Sequence, residues 1–520
     1  MNTLADSIVH KLDLAIPSED ASTGGVELNE KLLQHWIDEL PKDDLAEFCQ
    51  LYLEALTRFN GNQVSHIQRL ESLELYREPL NSLLLTLSRE ELGKLIPEPK
   101  QRLKIISTLA SLMSKLATGY KIIIVDAWQQ NENLKVSPII LLAINRACEQ
   151  LSFMALHAYK FYQTVPARVF YELHQLYLFT EHHSVTDVIP QVGSRHYAAA
   201  SFKDHYAQIL LVSISNPYGV NSGEVLRIYN LMEQLASVAE IQPLPDEAIH
   251  SAGCFYINCL SDRIPSPKLR PIIESQSQPP TRILNTKPVL HLVDQLFQKM
   301  SGPEDVVERV IDVALLKQVV PYLNTSYERK KKRIAMTDNT ETYVAIGLKT
   351  IHHCMTNCKT LPEKSIACLT QPWQVINKNA LGYLISQYHV SDSTQLDIGN
   401  FIAIFEFEEG KSPTIMLASI CWLRTDNNGL TKMGLEFIEG SAIAVQYVLE
   451  DQDASQPAIL LSEISHIMQP ATIIAEQGTF APQRLLTTKA KKKYLQFTLC
   501  AEKLIDCNVD VDRFTFTVNE

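Results

Sequence analysis

Phe401-Ile-Ala-Ile-Phe-Glu-Phe407, Thr414-Ile-Met-Leu-Ala-Ser-Ile-Cys-Trp422 and Thr431-Lys-Met-Gly-Leu-Glu-Phe437 decide the fold of the C-terminal part of the chain. Each is a short run rich in β-branched and aromatic residues, and turn residues such as Glu409-Gly410 and Asn427-Asn-Gly429 separate them. Such side chains fit a pleated, half-buried surface, and turns this close return the chain on itself, so the pattern predicts an antiparallel barrel. Toward the N-terminus, Thr342-Tyr-Val-Ala-Ile-Gly-Leu348, Trp373-Gln-Val-Ile376 and Gly382-Tyr-Leu-Ile385 extend the set. Toward the C-terminus, the runs 442–448, 458–461, 471–474, 493–499 and 514–518 predict further strands and a second, small β-module.

Before about residue 340 the grammar is helical. In Leu28-Asn-Glu-Lys-Leu-Leu-Gln-His-Trp-Ile-Asp-Glu-Leu40 the apolar positions line one face, and Pro41 stops the helix. Asp43 and Asp44 suit the start of the next helix, which Asn60-Gly61 closes. The same spacing predicts helices over roughly 63–87, 89–95, 98–118, 138–160, 165–182, 202–215, 221–239 and 287–299. Phe170-Tyr-Glu-Leu-His-Gln-Leu-Tyr177 has a tetratricopeptide-like flavour, but no ~34-residue period accompanies it, so an irregular all-helical interaction domain is expected. The expected division is a mobile lead-in over 1–27, a helical domain over 28–260, a connector with helices over 261–326, a barrel over 327–450 and a small β-module over 451–520. The fold class is multidomain α + β.

Composition narrows the function. The chain has 520 residues, 46% hydrophobic and 20% charged, with a formal net charge of −12. That is ordinary globular composition, and the negative surplus argues against whole-chain coating of nucleic acid, which needs an excess of Lys and Arg. No DNA partner is expected. The start Met1-Asn-Thr-Leu-Ala-Asp-Ser7 lacks a basic, apolar leader, so a cytoplasmic location is expected, with the ten cysteines as reduced thiols. The purest apolar runs, Lys121-Ile-Ile-Ile-Val-Asp126 and Pro138-Ile-Ile-Leu-Leu-Ala-Ile144, fall short of the ~20 residues that cross a bilayer, so no membrane span is expected.

Two polar motifs flank the first strands. Arg329-Lys-Lys-Lys-Arg333 precedes the barrel, and Asn377-Lys-Asn-Ala-Leu-Gly382 sits at the junction of two strands. Together with Ser419-Ile-Cys-Trp-Leu-Arg424 and Met433-Gly-Leu-Glu-Phe437, they resemble the PilZ-domain family, in which an RxxxR segment leads into the barrel and a [DN]-x-[SN]-x-x-G turn lies on its surface. The resemblance covers roughly residues 327–450. It implies binding of cyclic di-GMP, a bacterial second messenger, with Arg329, Arg333, Asn377, Asn379 and Gly382 as ligand-binding residues. The chemistry suits a compact dianion. Guanidinium groups pair with phosphate or with guanine O6 and N7, the amides read a base edge, and glycine permits close backbone approach. Lys330, Lys331 and Lys332 add positive potential. Asn379 stands where the family has serine, and residues 351–371 read as an inserted helix or loop on the barrel.

Other residue groups carry less. His352, His353, Cys354 and Cys358 lack a second ligand pair at zinc-finger spacing, so no metal site and no cofactor other than the ligand are expected. Cys254 and Cys259 read as core cysteines, and Lys489-Ala-Lys-Lys-Lys493 as a solvated turn. There is no G-x-S-x-G elbow, P-loop, dinucleotide fingerprint or H-E-x-x-H. The expectation is therefore a cyclic di-GMP effector or adaptor, not an enzyme, that engages an unidentified protein partner through its helical domain. The alternative is a scaffold whose PilZ-like barrel does not bind nucleotide.

Overall fold

The computed structural model describes residues 12–16, 29–41, 43–89, 100–130, 136–192, 195–196, 200–244, 252–268, 280–300, 313–324, 334–336, 340–357, 370–388, 390, 396–407, 413–449, 454–465, 468–489, 496–508 and 510–519. The chain divides into two compact units. Helices dominate the first, which runs to residue 328, and β-strands the second, which begins at Arg329.

The first unit opens with α1 (Glu30–Asp38), α2 (Leu45–Asn60) and α3 (His66–Arg89), followed by α4 (Lys100–Gln130), α5 (Pro138–Lys160) and α6 (Val169–His182). Side chains cap several starts as the sequence requires. Asn29 Oδ1 accepts from Lys31 and Leu32 N–H, and Asp44 Oδ1 from Ala46 and Glu47 N–H, each satisfying donors that a helix start leaves open. α7 (Phe202–Ile214) begins with a reciprocal Ser201–Asp204 capping box, and α8 (Ser222–Ala236) packs against it. The predicted helix over 89–95 falls almost wholly outside the described residues.

α4 is longer than the expected 98–118 segment. It continues through Gly119 and the run Ile122–Val125, whose side chains are buried on every side and so show no amphipathic stripe. α4 meets its neighbours closely at Gly119: a Cβ there would lie 2.5 Å from Leu73 Cδ2 and 2.8 Å from Asn60 Oδ1. α4 and α5 have the length and apolar character of membrane-crossing helices, yet most of each is buried inside this unit.

Three strands interrupt the helical reading. β3 (Glu240–Pro243) and β4 (Cys254–Asn258) flank β5 (Thr281–Asn285) in an antiparallel sheet, so part of the expected connector is a strand of the first unit. α9 (Lys287–Met300) and α10 (Val313–Leu323) also belong to this unit, with Leu284, Val289, Val293, Leu316 and Val319 in the same core as Leu73, Tyr120 and Phe179. The lead-in departs from expectation over residues 12–16, where Leu14 is buried in that core. A two-strand hairpin, β1 (Gln191–Val192) with β2 (Arg195–His196), lies between α6 and α7.

The second unit holds two antiparallel barrels. In the first, β8 (Gln371–Asn379), β7 (Glu341–Ile346), β10 (Phe401–Glu406), β11 (Thr414–Thr425), β12 (Leu430–Phe437) and β9 (Gly382–Tyr388) follow in order, and β9 closes back onto β8. The short β6 (Ile334–Ala335) lies beside β8. The predicted β-module is a closed six-stranded barrel in the order β13 (Ala442–Leu449), β14 (Gln456–Leu461), β15 (Thr472–Glu476), β18 (Val511–Asn519), β17 (Gln496–Cys507) and β16 (Leu485–Lys489). β13 thus pairs within the second barrel, although it precedes the expected boundary at 450, because its partners across both edges, β14 and β16, come later in the chain.

The segment expected as an insertion begins as α11 (Leu348–Asn357), and its remainder, 358–369, lies outside the described residues. α11 sits between the barrels. Leu348, Ile351 and Cys354 share one core cluster with Phe401, Ala403, Phe405 and Leu417 of the first barrel and Ile459, Leu461, Ile474 and Val511 of the second. Each large apolar side chain buried there contributes roughly 1.5–3 kcal/mol. Asp510 adds polar ties by accepting from Asn400 Nδ2 at 2.7 Å and Phe401 N–H at 3.1 Å.

Candidate functional site

Of the residues singled out in the sequence, Asn377, Asn379 and Gly382 lie on one hairpin, whereas Arg329, Arg333 and the lysines between them lie outside the described residues. Asn379 pairs with Gly382 across the two-residue turn Ala380-Leu381, and its Oδ1 accepts the Leu381 N–H at 2.9 Å. This Asx turn fixes the hairpin tip. Gly382 is required by packing: a Cβ there would lie 1.8 Å from the Leu435 carbonyl oxygen, so β12 crosses where a side chain would stand. The Leu381 carbonyl accepts the Phe437 N–H at 2.8 Å and holds that crossing in place.

The residue after Arg333 is fixed on this same hairpin. Ile334 pairs with Lys378 and Ala335 with Asn377, and the Met336 N–H donates to the Ile376 carbonyl at 3.0 Å. The chain leaving the basic arm therefore runs along the edge of β8 that carries Asn377.

Two β-bulges set which side chains face outward. Val375 points into the barrel, and regular alternation would send Asn377 inward too; the irregularity between them shifts the phase and puts Asn377 opposite the outward Leu384. A second irregularity between Ile420 and Trp422 does the same for Trp422, which pairs with Gly434. Asn377, Leu384, Gly434 and Trp422 thus form one row across four strands. At about 4.8 Å per strand, the row runs on the order of 14 Å along the outer surface.

The row ends in an aromatic surface. The Trp422 indole occupies the space a Gly434 side chain would fill, with Nε1 1.9 Å from the ideal Cβ position, so the ring lies close over the glycine backbone. Arg424 and Lys432 pair two positions further along and, flanked by the inward Leu423 and Met433, face outward as well. At the other end, the Asn377 Oδ1 is buried and, among the described residues, accepts no hydrogen bond. Leaving such an acceptor unmet costs about 1–3 kcal/mol. Nearby, Lys378 Nζ lies 5.8 Å from the Tyr383 ring, and the Tyr383 hydroxyl donates to Glu406 Oε1 at 2.8 Å. Burial, then this carboxylate, push the Tyr383 hydroxyl pKa upward, so the phenol stays protonated. The outer face offers a flat π-face and two cations, a set able to hold an anionic, planar-ringed molecule.

Trp422, Arg424 and Lys432 were not among the expected ligand residues. Strict alternation sends Trp422 to the same side as Ala418 and Ile420, into the core, and nothing in the sequence marks the bulge that turns it out.

In the first unit the titratable residues of the central helices pair with one another. Lys121 Nζ meets Glu172 Oε2 at 2.8 Å with both side chains buried. Arg146 bridges Glu74 at 3.0 Å and Glu149 at 3.2 Å, and the Tyr120 hydroxyl donates to Glu74 Oε1 at 2.6 Å. His174 Nδ1 lies 2.7 Å from the Tyr206 hydroxyl and its Nε2 3.0 Å from the Arg263 carbonyl, so the ring is held between two elements. Burial lowers the pKa values of His174 and His157, to about 4 and about 3. These are ties within the helical core. Among the described residues, no three His, Cys, Asp or Glu side chains converge as a metal site would require.

Comparison with known proteins bears on this helical unit. Residues 31–246 match the family model described as the N-terminal domain of the cyclic-di-GMP receptor FimW. The chain is also 25% identical over 213 residues to the cyclic-di-GMP receptor FimW of Pseudomonas aeruginosa, a match covering 41% of this chain and 35% of that protein. The match therefore spans about a third of the relative's length. The family-model match falls in the helices, whereas the PilZ resemblance rests on the barrel. The helical unit of this chain is thus similar to the N-terminal domain of a cyclic di-GMP receptor.

Proposed function

We propose that this chain is a bacterial, cytoplasmic cyclic di-GMP effector, an adaptor and not an enzyme, whose first barrel is a PilZ-like ligand-binding barrel. The observation that supports the reading is the pairing of Ile334-Ala335, the residues that follow Arg333 in sequence, with Lys378-Asn377 on the strand that leads into the Asn377–Gly382 turn. The similarity of the helical unit to a receptor for the same nucleotide supports it independently.

In this reading Arg329 and Arg333 clasp the phosphates and guanine edges, and Asn377 turns its amide toward a guanine edge. Asn379 shapes the turn and adds a polar contact, and Trp422 offers its face to a base. Gly382 acts through the shape of the hairpin. In sequence the arm falls between α10, ending at Leu323, and β6, starting at Ile334, so closing it on a ligand would restrain the link between the two units. Ligand binding then shifts the population of inter-unit arrangements, and the helical unit transmits the change to a protein partner.

Calorimetric titration of the full chain with cyclic di-GMP, beside an Arg329→Ala, Arg333→Ala variant, tests the assignment. Saturable binding that the variant loses is the expected result. No binding by the folded chain overturns it in favour of a scaffold with a nucleotide-free barrel. Solution scattering with and without saturating ligand tests the relay, and identical profiles refute that part alone.

A further inference from the structure

Residues 12–16 form no helix or strand, yet they are held at defined points on the helical unit. The Ala15 N–H donates to Glu172 Oε1 at 2.8 Å. Arg168 Nη2 donates to both the Asp13 carbonyl and Asp13 Oδ1, each at 3.0 Å, and the Tyr171 hydroxyl donates to Asp13 Oδ2 at 3.1 Å. Leu14, between these anchors, is 6% exposed and joins the core. Receptor and segment are more than 150 residues apart in sequence.

The receiving surface is built without help from the segment. Glu172 uses its second oxygen for the buried Lys121 ammonium, which fixes the carboxylate, and its Oε1 faces both the Ala15 N–H and the Arg168 Nε, 3.5 Å away. Arg168 adopts a left-handed backbone, φ 72°, an arrangement non-glycine residues rarely take. Asp262 holds it there by accepting the N–H groups of Arg168, Phe170 and Tyr171. The Arg168 guanidinium lies 4.8 Å from the Tyr171 ring, so the two groups that read Asp13 are stacked on each other.

The contacts define what is read: a backbone offering one N–H and one C=O, an aspartate, and a leucine next to it. This is how short linear segments are recognised, with main-chain bonds for affinity and one or two side-chain pockets for choice. We propose that Arg168, Tyr171, Glu172 and the Lys121 behind them form a peptide-recognition cleft for an Asp-Leu pattern, filled in this chain by its own Asp13-Leu14-Ala15. A partner protein carrying the same pattern enters by displacing that segment. The proposal stands apart from the nucleotide reading, and its test contains no nucleotide.

The probe is a fluorescently labelled peptide of residues 10–18, followed by anisotropy against the full chain, the chain lacking residues 1–16, and a full-length Asp13→Lys variant in which the resident segment is repelled by Arg168. The expected result is saturable binding to the truncated and Asp13→Lys chains, at least about tenfold tighter than to the unmodified chain. An Arg168→Ala change added to either, or an aspartate-to-alanine change in the peptide, weakens it by about tenfold or more. If the truncated chain does not fold, the Asp13→Lys chain decides. Equal affinity for the unmodified and Asp13→Lys chains, or binding indifferent to Arg168, overturns the proposal and leaves the segment a fixed structural tie.

Discussion

Replacing Gly382 with alanine separates two roles that a turn glycine in a ligand motif can play. The added Cβ falls 1.8 Å from the Leu435 carbonyl oxygen and 2.9 Å from its carbon, both backbone atoms with no rotamer by which to yield. The β8–β9 tip and β12 must separate by more than about 1 Å, since nonbonded carbon and oxygen do not approach within roughly 3 Å. That displacement strips the Phe437 N–H to Leu381 carbonyl bond and strains the Leu384–Gly434 and Ile385–Met433 pairs beside it. Two or three backbone hydrogen bonds at about 0.5–1.5 kcal/mol each put the cost at roughly 1–4.5 kcal/mol, confined to the first barrel. Hydrogen exchange read by mass spectrometry on peptides covering 381–388 and 430–437 measures it locally, and thermal unfolding gives the global counterpart. The expectation is faster exchange in both strands and a lower melting temperature, with ligand affinity falling as a consequence. Unchanged exchange and melting with lost cyclic di-GMP binding refutes the packing argument and returns Gly382 to a direct ligand role.

Further outcomes follow from the same geometry. For Gly434→Ala the three nearest atoms all belong to the Trp422 side chain, which can swing aside, so the change should cost less melting temperature than Gly382→Ala and weaken cyclic di-GMP binding by about tenfold, the scale of one lost stacking contact. Glu172→Gln leaves Lys121 buried without its carboxylate and should destabilise the helical unit by about 3–5 kcal/mol in chemical denaturation; a Lys121→Met, Glu172→Leu pair recovers most of that loss. Burial holds the folded-state pKa values of His157 and His174 near 3 and 4, below the ordinary 6.5, so the unfolded chain binds more protons as pH falls. Their stabilisation is complete above about pH 6.5 and is lost on acidification toward pH 4, with a slope near 1.4 kcal/mol per pH unit for each histidine. A His174→Gln variant should show a shallower decline of melting temperature across that window than the unmodified chain.

The first barrel was legible because its strands are short, β-branched and divided by turn residues, and the helices because their apolar positions recur at three and four. The same logic failed where one of its assumptions did. Ile122–Val125 shows no stripe because every side of α4 there is covered. Cys254–Asn258 became a strand only through pairing with Thr281–Asn285, a long-range contact to which local composition is silent. At the candidate site, the Asn377–Gly382 turn was visible as a spacing of residue types. Trp422 was hidden, because a bulge reverses the inward or outward assignment of everything beyond it and is decided by how the partner strand is satisfied. The hold on Asp13–Ala15 was also out of reach, since its partners lie on α6 and the residue before it.

α11 has a bearing on heredity as well as on packing. Because its buried face is shared by both barrels, neither barrel carries a finished surface of its own on that side. A recombination event ending after Phe437 would uncover the side of α11 that packs against β13 and β14, an apolar patch of the kind that drives aggregation. Relatives that keep the first barrel without the second should differ along α11, where polar residues must take the place of this seam.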